Sequence, residues 1–273
     1  MFTINQLPNM NKAFILFILI ALISCDQKEN DLAPLVDTYP MAIGTEWTYD
    51  RQLILDKYES ETSDKIIGTD TFHFVVRVWI DKDTILGTMP VKAFKCQEEH
   101  INSISTQFKF IDKEGLKTYA YLNAGGPIVF AKKSGHIKSP LPLNFVWDHS
   151  TLAGDGIIYE SNPTLDIKLP LKNNQLWTYR KPTDLRTLQI DKQVIGMENI
   201  NLIGQNFTCY KIDWTFRYDS SYTVIKITDW ISDKGLVKRI QMFDRVKMID
   251  ELGETFKSFQ VTEYLTLKGI KIE

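Results

Sequence analysis

The stretch from Tyr210 to Tyr218 alternates without a break. Tyr210, Ile212, Trp214, Phe216 and Tyr218 fall on one side, and Lys211, Asp213, Thr215 and Arg217 on the other. Side chains that reverse direction at every residue belong to an extended strand, and a strand with one apolar and one polar side needs cover on the apolar side only. The same period of two runs through Phe72–Ile80, where Phe72, Phe74, Val76, Val78 and Ile80 oppose His73 and Arg77. It continues through Tyr222–Ile231, Leu236–Ile249 and Thr255–Leu267, the last two joined by a turn at Glu251-Leu252-Gly253-Glu254. No stretch after Cys25 carries a helical period over three turns, so the expected fold is mainly β and antiparallel.

Two landmarks occur twice, in the same order. Tyr39-Pro40-Met41-Ala42-Ile43-Gly44-Thr45-Glu46-Trp47-Thr48-Tyr49 is echoed by Leu169-Pro170-Leu171-Lys172-Asn173-Asn174-Gln175-Leu176-Trp177-Thr178-Tyr179. Asp112-Lys113-Glu114-Gly115-Leu116-Lys117 is echoed by Asp233-Lys234-Gly235-Leu236-Val237-Lys238, where glycine supplies the positive φ of a tight hairpin. The recurrence predicts an internal repeat. Gly and Pro concentrate between Asn123 and Asp166, which places the expected junction near Leu165: one β domain over 39–165 and a second over 166–273.

Ahead of these lies the apolar run Ala13–Ile23, preceded by Lys12 and followed by Ser24-Cys25. The run is shorter than the roughly 20 residues a spanning helix needs, and reads as the core of a signal peptide over residues 1–24. Met10 is the more natural start. Leu22-Ile23-Ser24-Cys25 resembles the lipobox of bacterial lipoproteins, with an ordinary secretory peptide as the alternative. The resemblance implies cleavage before Cys25 and lipidation of its thiol, palmitate among the acyl groups. Several chains on one residue hold firmly, each buried CH₂ contributing about 0.8 kcal/mol. Residues 25–38, with Asp26, Glu29 and Asp31, have little to bury and read as a tether. The acidic residues after the cysteine resemble the surface-export signal of Bacteroidota lipoproteins. The implied location is the outer membrane, facing either the periplasm or the surface, with the N-terminal lipid as the membrane contact.

Loss of residues 1–24 moves the formal charge from −2 to −3, a near balance that argues against a nucleic-acid partner. The remaining cysteines, Cys96 and Cys209, either pair or stay as two thiols, and Phe94 beside Cys96 on its strand face favours two thiols. Neither has a neighbour at zinc-ligand spacing, so no metal and no cofactor is expected.

Met197–Ile212, with Leu169–Tyr179 before it and Trp230–Lys238 after it, resembles a module of bacterial envelope lipoproteins that runs Pro-Leu-Lys, Gly, Trp, Glu-x-Val, Gly-x-Phe, then Trp with Gly-Leu-Val-Lys. Asn173-Asn174 stands in place of the glycine before Trp177, and Glu59–Thr71 reads as an insertion in the first half. The resemblance implies twisted antiparallel sheets, half-barrel-like, two in tandem, and brings no catalytic residue.

Two clusters carry polar chemistry, Glu98-Glu99-His100 and Asp148-His149-Ser150. Neighbours on a strand point to opposite faces, so neither assembles a triad without a special turn. His73 and His136 stand alone. Asn206-Phe207-Thr208 fits an N-glycosylation sequon, and Asp83-Thr84-Ile85 resembles a Bacteroidota O-glycosylation site. Trp214, Phe216, Tyr218, Tyr222 and Trp230 lie on neighbouring strands; closed over they are core, and left open they would hold an acyl chain or a sugar ring. The expected function is that of a non-enzymatic, lipid-anchored envelope protein that binds a protein partner, glycan or lipid. The alternative is an envelope hydrolase using Asp148 and His149.

Overall fold

The computed structural model describes residues 36–99, 104–122, 136–138, 156–181, 189–217, 225–249 and 255–273. Within them the chain is all β and antiparallel. The first strands are β1 (Glu46–Tyr58), β2 (Ile66–Leu86), β3 (Met89–Glu98), β4 (Ser105–Asp112), β5 (Gly115–Leu122), the short β6 (His136–Lys138) and β7 (Ile158–Lys168). Then follow β8 (Leu176–Arg180), β9 (Gln189–Leu202), β10 (Gln205–Arg217), β11 (Ile225–Ser232), β12 (Gly235–Ile249) and β13 (Thr255–Lys271). Each alternating stretch read from the sequence lies within one of these strands as far as the described residues extend.

One sheet holds them, in the order β7-β5-β4-β3-β2-β1-β13-β12-β11-β10-β9-β8, with β6 beside β12. From β1 to β5 and from β8 to β13 successive strands pair with one another, β5 pairs with β7, and β1 pairs with β13 from Glu46↔Lys271 to Lys57↔Phe259. The sheet thereby curls into a nearly closed, barrel-like form. The expected junction at Leu165 falls inside β7, and strands from both sides of it belong to the same sheet.

A seam remains between β7 and β8, which share no ladder. Side chains cross it instead: Trp177 Nε1 donates to the Leu165 carbonyl at 3.0 Å, and Arg180 donates to Glu160 at 2.5 Å. Leu53 and Leu55 of β1 belong to the same buried cluster as Tyr179, Ile190, Trp214, Ile227 and Phe243 from strands far along the sheet. The concave face is thus packed across, not lined.

The two Trp-Thr-Tyr landmarks open β1 and β8, and the two glycine hairpins join β4 to β5 and β11 to β12. Thr45, two residues before Trp47, accepts from the Ile80 N–H of β2; Gln175, two residues before Trp177, accepts from the Val194 N–H of β9. The lead-in segments touch, Leu171 N–H donating to the Val36 carbonyl at 3.1 Å. Trp47 lies over the second hairpin, its Nε1 donating to the Lys234 carbonyl at 2.7 Å.

Candidate functional site

The concave face carries charge where an apolar lining would be expected. On β9, Lys192 shares parity with Ile190 and Val194, and all three are buried. Its cross-strand partners are Trp177 on β8 and Trp214 on β10. The ammonium lies 3.8 Å from the centroid of the Trp214 ring and 4.5 Å from that of Tyr179, and donates to the Asp166 carbonyl of β7 at 2.7 Å. Burial drives its pKa down to about 7, against the pull of Asp229 and Asp166.

Asp229, on β11 among Ile225, Ile227 and Ile231, is 3 % exposed. Arg239 of β12 grips it with Nε at 2.5 Å and a terminal nitrogen at 2.9 Å, and Trp214 Nε1 donates to it at 3.0 Å. Burial alone would raise the carboxyl's pKa, but the Arg239 fork, Lys192 and the indole hold it below the usual range. The Arg239 guanidinium also lies 5.2 Å from the Trp214 centroid. Trp214 is therefore shared between two cations and one anion.

Two further ion-pair groups stand on the same face. Arg51 of β1 bridges Glu98 at 2.5 Å and Glu263 at 2.7 Å. Lys109 of β4 pairs with Asp166, whose oxygens also accept from Thr118 at 2.6 Å and Thr164 at 3.2 Å. Each carboxylate here has a cationic hydrogen-bond donor, the condition under which buried charge is tolerated.

Of the predicted aromatic set, Trp214 and Trp230 are buried, at 6 % and 5 %, and Phe216 is half-buried beside Trp214. Trp230 sits apart from Trp214. It pairs with Lys211, belongs to another cluster with Phe207, Cys209 and Trp47, and donates to Glu198 at 2.8 Å. Tyr218 and Tyr222 lie outside the described residues, as do Cys25, His100 and the Asp148-His149-Ser150 cluster. His73 is exposed on β2. Cys96 and Cys209 are free thiols, pushed by burial to about 11 and about 12, which leaves little thiolate for chemistry. Among the described residues no group of acidic, histidine or cysteine side chains has metal-ligand geometry.

The sequon residues Asn206, Phe207 and Thr208 border a depression of about 240 Å³ with Val36, Gln205, Asp233 and Lys234. That is smaller than the roughly 300 Å³ at which ordinary ligand pockets begin. Lys192, Asp229 and Arg239 were not singled out from the sequence. The signal was present for two of them: Lys192 stands between Ile190 and Val194, and Asp229 between Ile227 and Ile231, on the side that must be covered, while Arg239 has Val237 on one side only.

No family model matches the chain, and no curated protein matches it. Among solved structures, one described as a "putative lipoprotein" from Parabacteroides distasonis ATCC 8503 is similar at a TM-score of 0.30 and 12% identity, over 85% of this chain and 97% of that one. A likeness of that size carries neither fold nor function across.

Proposed function

We propose that the chain is a lipid-anchored cell-envelope protein, held by Cys25 in the outer membrane, whose barrel is a non-catalytic module that engages a partner through its outer surface. The anchor rests on Leu22-Ile23-Ser24-Cys25 and the apolar run before it. The observation that supports the second half is the occupancy of the concave face: Trp214, which could have stacked on a sugar or an acyl chain, is covered by Lys192 and Arg239. A barrel filled in this way offers its rim and outer strands, which favours a protein over a glycan or a lipid as the partner. We further read 39–165 and 166–273 as two copies of one half-barrel module. The matched placement of the Trp-Thr-Tyr strands, the glycine hairpins and the Thr45 and Gln175 carbonyls supports this.

The test of the anchor is palmitate labelling of the full chain beside Cys25→Ala, with membrane fractionation and protease shaving of intact cells. The wild type should carry label and sediment with membranes, and the variant should lose both. A variant that stays membrane-bound, or a wild type without label, overturns the reading. Shaving then separates a surface-facing barrel from a periplasmic one.

A further inference from the structure

An up-and-down sheet sends its connections alternately to two rims. One rim of this barrel carries the start of β1, the end of β13, the β7–β8 connection and the tight turns Gly87-Thr88, Lys113-Glu114, Ile203-Gly204 and Asp233-Lys234. The chain also enters here. Val36 is 1 % exposed, clusters with Leu116, Leu171 and Trp177, and its carbonyl accepts from the Leu171 N–H. From Val36 onward the lead-in is fixed to this rim: Tyr39 lies on Trp47 and beside Gly235, and Gly44 lies beside Glu273.

Three isoleucines are exposed on the same rim. Ile43 precedes β1, Ile203 is at the tip of the β9–β10 hairpin and Ile272 follows β13; they are 47 %, 43 % and 43 % exposed. Single exposed apolar residues are ordinary and by themselves point to nothing. The backbone of Ile203 is not ordinary. It has φ 50° and Gly204 φ 73°, the hairpin geometry in which asparagine is favoured at the first position and a β-branched side chain is strained. An isoleucine held in a disfavoured conformation while exposed gains little from packing inside the barrel, which points to a contact outside it.

Chain length says what that contact is. Between Cys25 and Val36 lie the ten residues Asp26 to Leu35. Fully extended, they span at most about 40 Å. A thirteen-residue strand such as β10 covers about 40 Å along itself, or about 30 Å of barrel height at ordinary strand tilt. The opposite rim could meet the headgroups only with the tether drawn nearly straight along the outer wall, at a cost in chain entropy, whereas the entry rim meets them with the tether slack. The cations of this rim are largely neutralised, Lys117 by Asp112 and Glu114, Lys234 by Asp233 and Lys271 by Glu273, so a contact with lipid here falls to the apolar tips and not to charge.

We propose that the rim through which the chain enters the barrel is a lipid-facing surface, on which Ile43, Ile203 and Ile272 enter the headgroup region of the membrane. The inference rests on the anchor at Cys25 and adds to it which end of the barrel meets lipid.

The experiment places the full-length, natively processed chain in vesicles of phosphatidylethanolamine and phosphatidylglycerol that carry a doxyl-labelled phosphatidylcholine. A bimane label is attached at Ile203→Cys, Ile272→Cys or, on the opposite rim, Ile67→Cys, with the wild-type chain giving the background from Cys96 and Cys209. Labels at 203 and 272 should be blue-shifted and quenched, equally at low and high salt, and the label at 67 should stay aqueous. Ile203→Asn, which suits the turn, should leave the urea midpoint unchanged or higher and weaken the quenching at 272. Protein that does not float with the vesicles overturns the anchor and this inference together. Protein that floats with 203 as aqueous as 67, with quenching that salt abolishes, or with a fold that Ile203→Asn destabilises, overturns this inference alone.

Discussion

An ammonium group 3.8 Å from an indole centroid and sealed from water favours losing its proton, and that preference is a statement about stability. Lys192 has its folded pKa lowered to about 7, whereas in the unfolded chain it keeps an ordinary value near 10.4. Between those values the unfolded state binds more protons, so this residue's contribution to stability rises with pH from about 7 towards 10 and is lost below 7. Lys192→Met, which keeps length and apolar contact with Trp214 and Tyr179, removes that dependence. Urea midpoints measured from pH 6 to 9 should show a wild-type advantage over the variant that grows with pH, and a constant difference would refute the assignment. Asp229 acts in the same direction, over a more acidic range. Its folded pKa is lowered, so its contribution is present at neutral pH and disappears only in acid. Asp229→Asn leaves the Arg239 fork without its charge partner and should cost about 3–5 kcal/mol at pH 7, the range found when one member of a buried pair is removed. The penalty should shrink as pH falls below 4.

At the level of elements, the two glycine hairpins are closed by different contacts. Gly115 has φ +141°, and a Cβ there would sit 2.0 Å from the Ile167 carbonyl oxygen, which belongs to backbone and has no room to retreat. Gly235 has φ +102°, and its Cβ would meet Trp47 Nε1 at 3.0 Å and the Tyr39 hydroxyl at 3.1 Å, both side-chain atoms. Each alanine substitution should destabilise by more than about 1 kcal/mol, from the disfavoured φ alone. Gly115→Ala should be the worse of the two in urea unfolding, because at Gly235 the indole can shift at the expense of its bond to Lys234. Hairpins of this kind were legible in the sequence, since Asp-Lys-Gly between two alternating runs specifies local geometry. Strand identity was legible for the same reason: in β10 polar and apolar residues alternate over the whole second half. What alternation does not encode is partner choice at long range. Nothing in Thr48-Tyr49-Asp50 names Thr266-Leu267 as its neighbour, so the β1–β13 ladder that unites the halves was not foreseen. Buried charge defeated the reading differently. Lys192, Asp229 and Arg239 look like solvent-facing residues until their parity with Ile190, Ile227 and Phe243 is counted, because burial here depends on partners on other strands. Phe72 shows the reverse. It shares the apolar side with Val76 and Ile80 but is 37 % exposed, because that part of β2 extends past β3.

In the whole molecule, among the described residues, the halves are joined by the short β6–β12 pairing and at two longer seams of unequal kind. β1 and β13 are joined by a continuous backbone ladder, whereas β7 and β8 meet through Trp177, Arg180 and the Lys192 bond to Asp166. A chain cut between Lys168 and Leu169 would give two pieces of six long strands each, and each would lose the same things. The first piece would expose the β1 edge and half of the cluster that contains Leu53, Leu55 and Tyr179. The second would expose the β13 edge and leave Glu263 without Arg51. Unpaired edges and uncovered apolar faces are what a half-closed sheet cannot satisfy by itself. If the halves are copies of one module that depend on each other, fragments 36–168 and 169–273 should each give weak, uncooperative urea unfolding by circular dichroism. Mixing them should restore a single sharp transition. Leu53→Ala in the first fragment should weaken that restoration, since a leucine buried across the sheet contributes about 2–5 kcal/mol. Two fragments that unfold separately and sharply, unchanged by mixing, would instead establish independent domains that merely share a ladder.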